Sequence, residues 1–312
     1  MGTEIGVLLG ARIDDEDPEP VVMAADVERQ LLEFDRQLSR FRPESELSRF
    51  NRDPREVVPA SPLLRTSLAA GLWAAERTGG LVDPTVLPQL EAAGYADSRR
   101  GVASEPLEAA LNAAPSRRPA GPAPDPAWRS IEVLHDEGAI RRPPGVRFDS
   151  GGTGKGLAAD MVGRRLAGYA RYAVDCGGDV RVGGKLPGSA PVELEIRHPL
   201  SNTAAESFTL ERGAVATSGI DARLWRLPDG THGHHLIDPS SGEPAWTGLI
   251  CAAARAPTAL EADVLAKAAL LSGPDGAAAF LSEHGGLIIR DDGSVERIGP
   301  LHDPPRLRIQ PS

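Results

Sequence analysis

The segment that most restricts what this chain can build is Asp149-Ser-Gly-Gly-Thr-Gly-Lys-Gly156. It follows an apolar run ending at Phe148 and precedes apolar residues at Leu157, Met161 and Leu166, so the spacing predicts strand, glycine turn, helix. Glycines let the backbone come close to a ligand, and the free N–H groups at a helix start favour a phosphate, beside which Lys155 adds positive charge. A Walker loop is excluded at both ends, because Asp149 stands where its first glycine belongs and Gly156 where its Ser or Thr belongs. A tight turn carrying a solvated lysine stays open for this segment taken alone.

The rest of the chain narrows the partners. The net charge is −10 and no Lys/Arg run exceeds two residues, so nucleic acid is not expected, since that binding acts through basic stripes. Cys176 and Cys251 stand alone in apolar settings, and a disulfide is not expected in a body of this size. The N-terminal run has no basic region before it and an acidic cluster after it, which reads as neither signal peptide nor membrane span. The expectation is a cytoplasmic chain without a membrane segment and of undetermined oligomeric state.

A length of 312 residues fits one catalytic body over 1–312, with an Ala/Pro/Arg-rich surface excursion over 98–130 and a tail over 300–312. Apolar residues at Val27, Leu31, Phe34, Leu38 and Phe41 predict a helix from Ala24, stopped by Pro43 and followed by a polar, turn-rich stretch to Asn51. A second helix is expected from Pro62 to the Gly79-Gly80 pair, a third through Leu260, Val264, Ala268 and Leu271, and a last over 277–284. Strands are expected at 4–13, 131–135, 139–141, 146–148, 171–175, 192–197, 207–210, 249–255 and 287–290. The fold class is therefore α+β, with mixed sheets covered by helices and a ligand cleft built from loops.

Other polar, turn-rich segments accompany the glycine turn. In chain order the chain carries Met1-Gly-Thr3, Ser39 to Asn51 with Phe41, Ser45, Leu47 and Ser48 at fixed offsets, and Asp83-Pro-Thr85. After the glycine turn come Gly177-Gly-Asp179, Thr217-Ser-Gly219, His235-Leu-Ile-Asp-Pro-Ser-Ser-Gly-Glu-Pro244 and Ala262-Asp-Val-Leu-Ala-Lys267. Each piece is weak alone, but in this order and spacing they resemble the flavin transferase (ApbE) family over nearly the whole chain.

The resemblance implies a T-fold-like catalytic domain that binds FAD as a substrate across a cleft. A Ser or Thr hydroxyl of an acceptor protein, in an Asp-x-x-[Ser/Thr]-Gly-Ala-[Ser/Thr]-like motif, would attack the FMN-side phosphorus and release AMP. No such motif occurs in this chain, so the acceptor is expected to be another protein. Carried over by position, Met1, Phe41, Leu81, Val82, Asp83, Thr85, Asp149, Lys155, Thr217, Ser218, Gly219, His235 and Ile237 would line the FAD site. Lys155, His235 and Asp263 would be catalytic, with Lys155 facing the pyrophosphate and His235, of unperturbed pKa about 6.5, handling the proton of the attacking hydroxyl.

Mg2+ is implied at Asp263 with the backbone carbonyl of Gly152, but the family's second side-chain ligand, a Thr, is Lys267 here. Either Asp263 and Lys267 form a surface i,i+4 ion pair, or the Lys267 ammonium takes the metal's place. A histidine metal cluster at His232, His234 and His235 fits poorly, because adjacent residues of an extended chain point to opposite sides. A non-catalytic FAD binder, and hydrolysis of FAD to FMN and AMP, are alternatives that would use the same cleft.

Overall fold

The structure, a computed structural model, describes residues 3–186 and 191–300. Its centre is a sheet with strands in the order Ile5–Leu9, Tyr172–Cys176, Val180–Gly183, Gly213–Gly219, Leu249–Ala256, Gly286–Arg290 and Val295–Ile298. Every neighbouring pair runs antiparallel. Connection length explains this: Gly177, Gly178 and Asp179 alone join Tyr172–Cys176 to Val180–Gly183, a link far too short for a parallel crossover. The α+β class expected from the sequence is what the chain adopts, with sheets antiparallel throughout the described residues rather than mixed in strand direction.

Two helices cover one face. Ala259–Gly276 lies on Gly213–Gly219 and Leu249–Ala256, and Gly154–Arg165 lies on Tyr172–Cys176 and against the first helix. The central strand reads LICAAARA and is buried along its length except at Arg255, as a strand covered on both faces must be. The helix pair is locked by two devices. A Cβ at Gly156 would lie 2.5 Å from the carbonyl oxygen of Ala259, so only glycine permits this approach. The buried Asp160 carboxylate accepts from the N–H groups of Ala259 and Leu260, each at 2.9 Å, and so caps the neighbouring helix. Asp160→Ala strands both donors in the interior, and the expected cost is about 2 kcal/mol, read as a lowered midpoint in urea unfolding with unchanged slope.

The Pro20–Leu38 helix buries Met23, Val27, Leu31, Phe34 and Leu38, the stripe its spacing predicts, and Pro62–Arg77 packs beside it. Two expectations are corrected between them. The stretch read as a polar turn is a helix, Glu46–Arg52, because Ser45 caps it by accepting from the Ser48 N–H at 3.0 Å. The strand expected at 146–148 does not form. There the Asn51 side-chain amide takes both backbone partners of Phe148 at 2.8 Å, standing in for a neighbouring strand and fixing the start of the Asp149 turn.

The stretch 98–130 is stitched to the body: Arg118 N–H donates to Trp246, Ala120 N–H to Leu271, Gly121 N–H to the Asp238 carboxylate, and Arg117 pairs with Asp291 at 2.7 Å. Its first residues, Ser98 to Ser104, line the main cleft, a contribution its composition gives no sign of. No helix among the described residues is long and apolar enough to cross a membrane.

Candidate active site

A cleft of about 890 Å³ opens between the Pro20–Leu38 helix, the Asp149 turn and the start of Gly154–Arg165. That volume suits a large cofactor. Phe41 and Tyr95 form one wall with ring centroids 5.5 Å apart, and Tyr95 stacks on Trp225 at 5.4 Å. Ile237 packs behind them with Leu90 and Ala93, so it supports this wall rather than facing the opening. Arg40 lies with its guanidinium 4.1 Å from the Phe41 centroid and 4.6 Å from that of Tyr95, donating to the Tyr95 carbonyl at 2.7 Å. It also stands 3.4 Å from the Asp149 carboxylate. Burial raises the Asp149 pKa, and the Arg40 charge opposes that rise without cancelling it.

At the inner end of the cleft the Lys155 ammonium donates to Asp179 Oδ1 at 2.9 Å and to the Gly177 carbonyl at 3.3 Å. Burial works against the Lys155 charge, but the Asp179 and Asp263 carboxylates outweigh it and hold the pKa above its usual value. Behind Lys155, Asp263 is fully buried and accepts through Oδ1 from the Lys267 ammonium, itself only 8 % exposed. The second carboxylate oxygens of Asp179 and Asp263 have no hydrogen-bond partner. His235 completes the cluster. Burial, then the positive charges of Arg223, Lys267 and Lys155 among its neighbours, pushes its pKa well below 6.5. The proton handler expected near neutrality is therefore a neutral imidazole whose Nδ1 has no partner.

Asp179 carries the pH dependence. Burial, then the nearby Asp263 carboxylate, pushes its pKa up from 3.8 to about 7. A folded-state pKa above the unfolded value means that ionising Asp179 destabilises the fold as pH rises from about 4 to about 7, with the full penalty present above that. The ionised form also competes with an anionic ligand for Lys155. FAD affinity is expected to fall about three- to tenfold as pH rises through about 7, and Asp179→Asn should flatten the profile, measured by flavin fluorescence titration. His235, its pKa held well below 6.5 by burial, adds no inflection near pH 7.

The remaining sequence candidates fall around this cluster. Thr217 lies beside the Gly178 turn, with its Oγ1 2.9 Å from where a Gly178 Cβ would be, and Ser218 is buried with an unpartnered Oγ. Gly219 ends the same strand, against Asp221. Asp83 is a turn residue: its Oδ1 accepts from Thr85 N–H at 2.7 Å and Thr85 Oγ1 at 2.5 Å, which fixes the Asp-Pro-Thr bend. Val82 packs with Ala74, Val264 and Ala268 and beside Gly152, while Leu81 is packed against the main core. None of these residues lines the large cleft; among the lining residues are Phe41, Asp149 and Lys155. His234 is fully buried, edge-on to Trp246 at 4.9 Å, with its pKa lowered by burial to about 3, so it supports the fold. Met1 lies outside the described residues. Sequence reasoning missed Arg40, Tyr95 and Arg223, although Arg40 stands next to Phe41 inside a quoted motif.

The fit of a divalent cation is decided at Asp263. Mg2+ wants a near-octahedral set of oxygens, yet the carboxylate expected to hold it already accepts from the Lys267 ammonium, whose residue stands at the sequence position of the second side-chain ligand that the resemblance implies. A dication there would meet the Lys267 charge in a buried site, so the residues present do not fit the metal. Nor are three His, Cys, Asp or Glu side chains grouped so as to hold a metal ion among the described residues.

Comparison with known proteins identifies the family. The profile of the ApbE family matches residues 1–289. The FAD:protein FMN transferase of Klebsiella pneumoniae is 29% identical over 272 residues, 84% of this chain and 75% of that protein. The protein of the same description from Vibrio cholerae is 29% identical over 260 residues, 81% of this chain and 74% of that protein. The crystal structure of the ApbE protein from Thermotoga maritima superposes with a TM-score of 0.75 at 24% identity, covering 95% of this chain and 97% of that one. The flavin transferase ApbE from Vibrio cholerae does so with a TM-score of 0.71 at 22% identity, again covering 95% and 97%. With the family profile spanning nearly its full length, the chain belongs to the ApbE family.

Proposed function

We propose that this chain transfers FMN from FAD to a Ser or Thr hydroxyl of an acceptor protein and releases AMP. The observation that carries the reading is the placement of Lys155, at the inner end of a cleft walled by Phe41 and Tyr95 and near enough to the neutral His235 for its charge to act on that imidazole. The aromatic wall suits a flat ring system, and Lys155, in the first turn of the Gly154–Arg165 helix, suits the paired phosphates. The acceptor oxygen forms a bond to the FMN-side phosphorus as the bond to the AMP oxygen breaks, and the hydroxyl proton passes to His235. A neutral imidazole is in the right form to accept it, and the phosphates that arrive with FAD offset the positive charges that depress its pKa. Catalysis of this kind is mainly positioning and charge neutralisation. The relatives described as FAD:protein FMN transferases support the same reading.

The test is to incubate the chain with FAD and a protein carrying the Asp-x-x-[Ser/Thr]-Gly-Ala-[Ser/Thr] sequence, then follow in-gel flavin fluorescence and AMP by chromatography. Equal amounts of AMP and labelled acceptor are expected. AMP without label would make the chain a hydrolase, and retained FAD without AMP would make it a binder.

A further inference from the structure

We propose that the Lys267 ammonium stands where a divalent cation would otherwise act, so that this chain grips FAD through Lys155 and Lys267 and needs no divalent metal. The inference rests on the proposed transfer site but is separate from the transfer itself. The structure favours the buried arrangement over a surface ion pair: Lys267 and Asp263 both face inward, among Val264, Leu265, Ala266 and Ala268. Taking a lysine charge out of water is costly, and at a solvated helix face the same i,i+4 pair would form without that cost. Its burial therefore points to a partner that arrives in the cluster.

The donor count points the same way. A lysine ammonium has three N–H donors; Lys267 directs one to Asp263 and has no other partner among the described residues. Lys155 directs its own to Asp179 and the Gly177 carbonyl, so both ammoniums keep donors for phosphate oxygens. Lys155 lines the cleft, whereas Lys267 is bonded to Asp263 behind it; the Lys267 charge acts on Asp179, to which Lys155 is bonded, and both ammoniums act on His235. A fixed ammonium on each side of a pyrophosphate does the electrostatic work of a bridging cation, and it requires no metal ligands.

Three measurements on the full chain test this. FAD affinity is titrated by flavin fluorescence in EDTA and in excess Mg2+, Mn2+ is used as an electron paramagnetic resonance probe of metal binding in the FAD complex, and acceptor labelling is repeated in both buffers. For the natural chain, affinities agreeing within about twofold, no bound Mn2+ and labelling in EDTA are expected. Lys267→Thr, which supplies the missing oxygen ligand, should bind one Mn2+ per FAD complex and lose FAD affinity at least about tenfold in EDTA. One Mn2+ bound by the natural chain, or a tenfold loss of its FAD affinity in EDTA, overturns the proposal whether or not the variant folds. Labelling only with Mg2+ also overturns it while leaving the transfer reading intact. Metal-independent FAD binding with no labelling leaves this proposal standing and removes the transfer reading.

Discussion

Lys155→Met is expected to weaken FAD binding by about 10- to 100-fold and to slow FMN transfer by about 100- to 1,000-fold. The substitution keeps the stem and its packing while removing the ammonium. A hydrogen bond to a charged group contributes about 1.5–3 kcal/mol, which sets the loss in affinity. Removing one preorganised donor at a reacting centre costs about 100- to 1,000-fold, which sets the loss in rate. The two bond partners explain why no neighbour substitutes: Asp179 and the Gly177 carbonyl hold the ammonium at the end of the cleft. Its removal also leaves the buried Asp179 and Asp263 carboxylates less compensated, and Asp179 answers by keeping its proton to higher pH. Lys155→Met combined with Asp179→Asn should recover stability but not transfer. A change in Kd below about threefold would mean that FAD phosphates do not meet Lys155.

Gly156→Ala should destabilise the chain by about 3 kcal/mol, although the same change at an open helical position would stabilise it by up to about 1 kcal/mol. The reversal comes from one distance. The added Cβ would lie 2.5 Å from Ala259 O and 2.7 Å from Leu260 Cα, both backbone atoms that cannot rotate away. The two helices must then separate, which stretches the Asp160 cap and moves Lys155 away from Asp263 and Lys267. Urea unfolding measures the loss of stability, and FAD titration of the still-folded variant should show weakened binding. A neutral or stabilising result would mean that the two helices do not meet at Gly156.

The residues that were legible in the sequence are those whose role is local. The Pro20–Leu38 stripe follows from its apolar period, and the Asp149–Gly156 turn declares itself by glycines between a strand-like run and a helix. Small residues hid other parts. Gly213–Gly219 reads GAVATSG, with little of the β-branched alternation that marks a strand, and it forms one because Leu249–Ala256 and Val180–Gly183 flank it. Asp179 bonds Lys155 across 24 residues of sequence, and Asp160 caps a helix 99 residues later, so neither link has a sequence signature. The Asp263 and Lys267 pair was readable from its spacing, but its burial was not. The Ala259–Gly276 helix is apolar on nearly every side, so only packing decides which face meets the sheet.

The claim that the dinucleotide phosphates sit between Lys155 and His235 is tested most directly by a crystal structure of the chain soaked with FAD. The expected density places a phosphate oxygen within hydrogen-bonding distance of Lys155 Nζ, with the His235 imidazole facing the same phosphate group and a flavin ring against Phe41 and Tyr95. Well-ordered FAD whose phosphates lie away from Lys155, with Asp179 still holding its ammonium undisturbed, would contradict it.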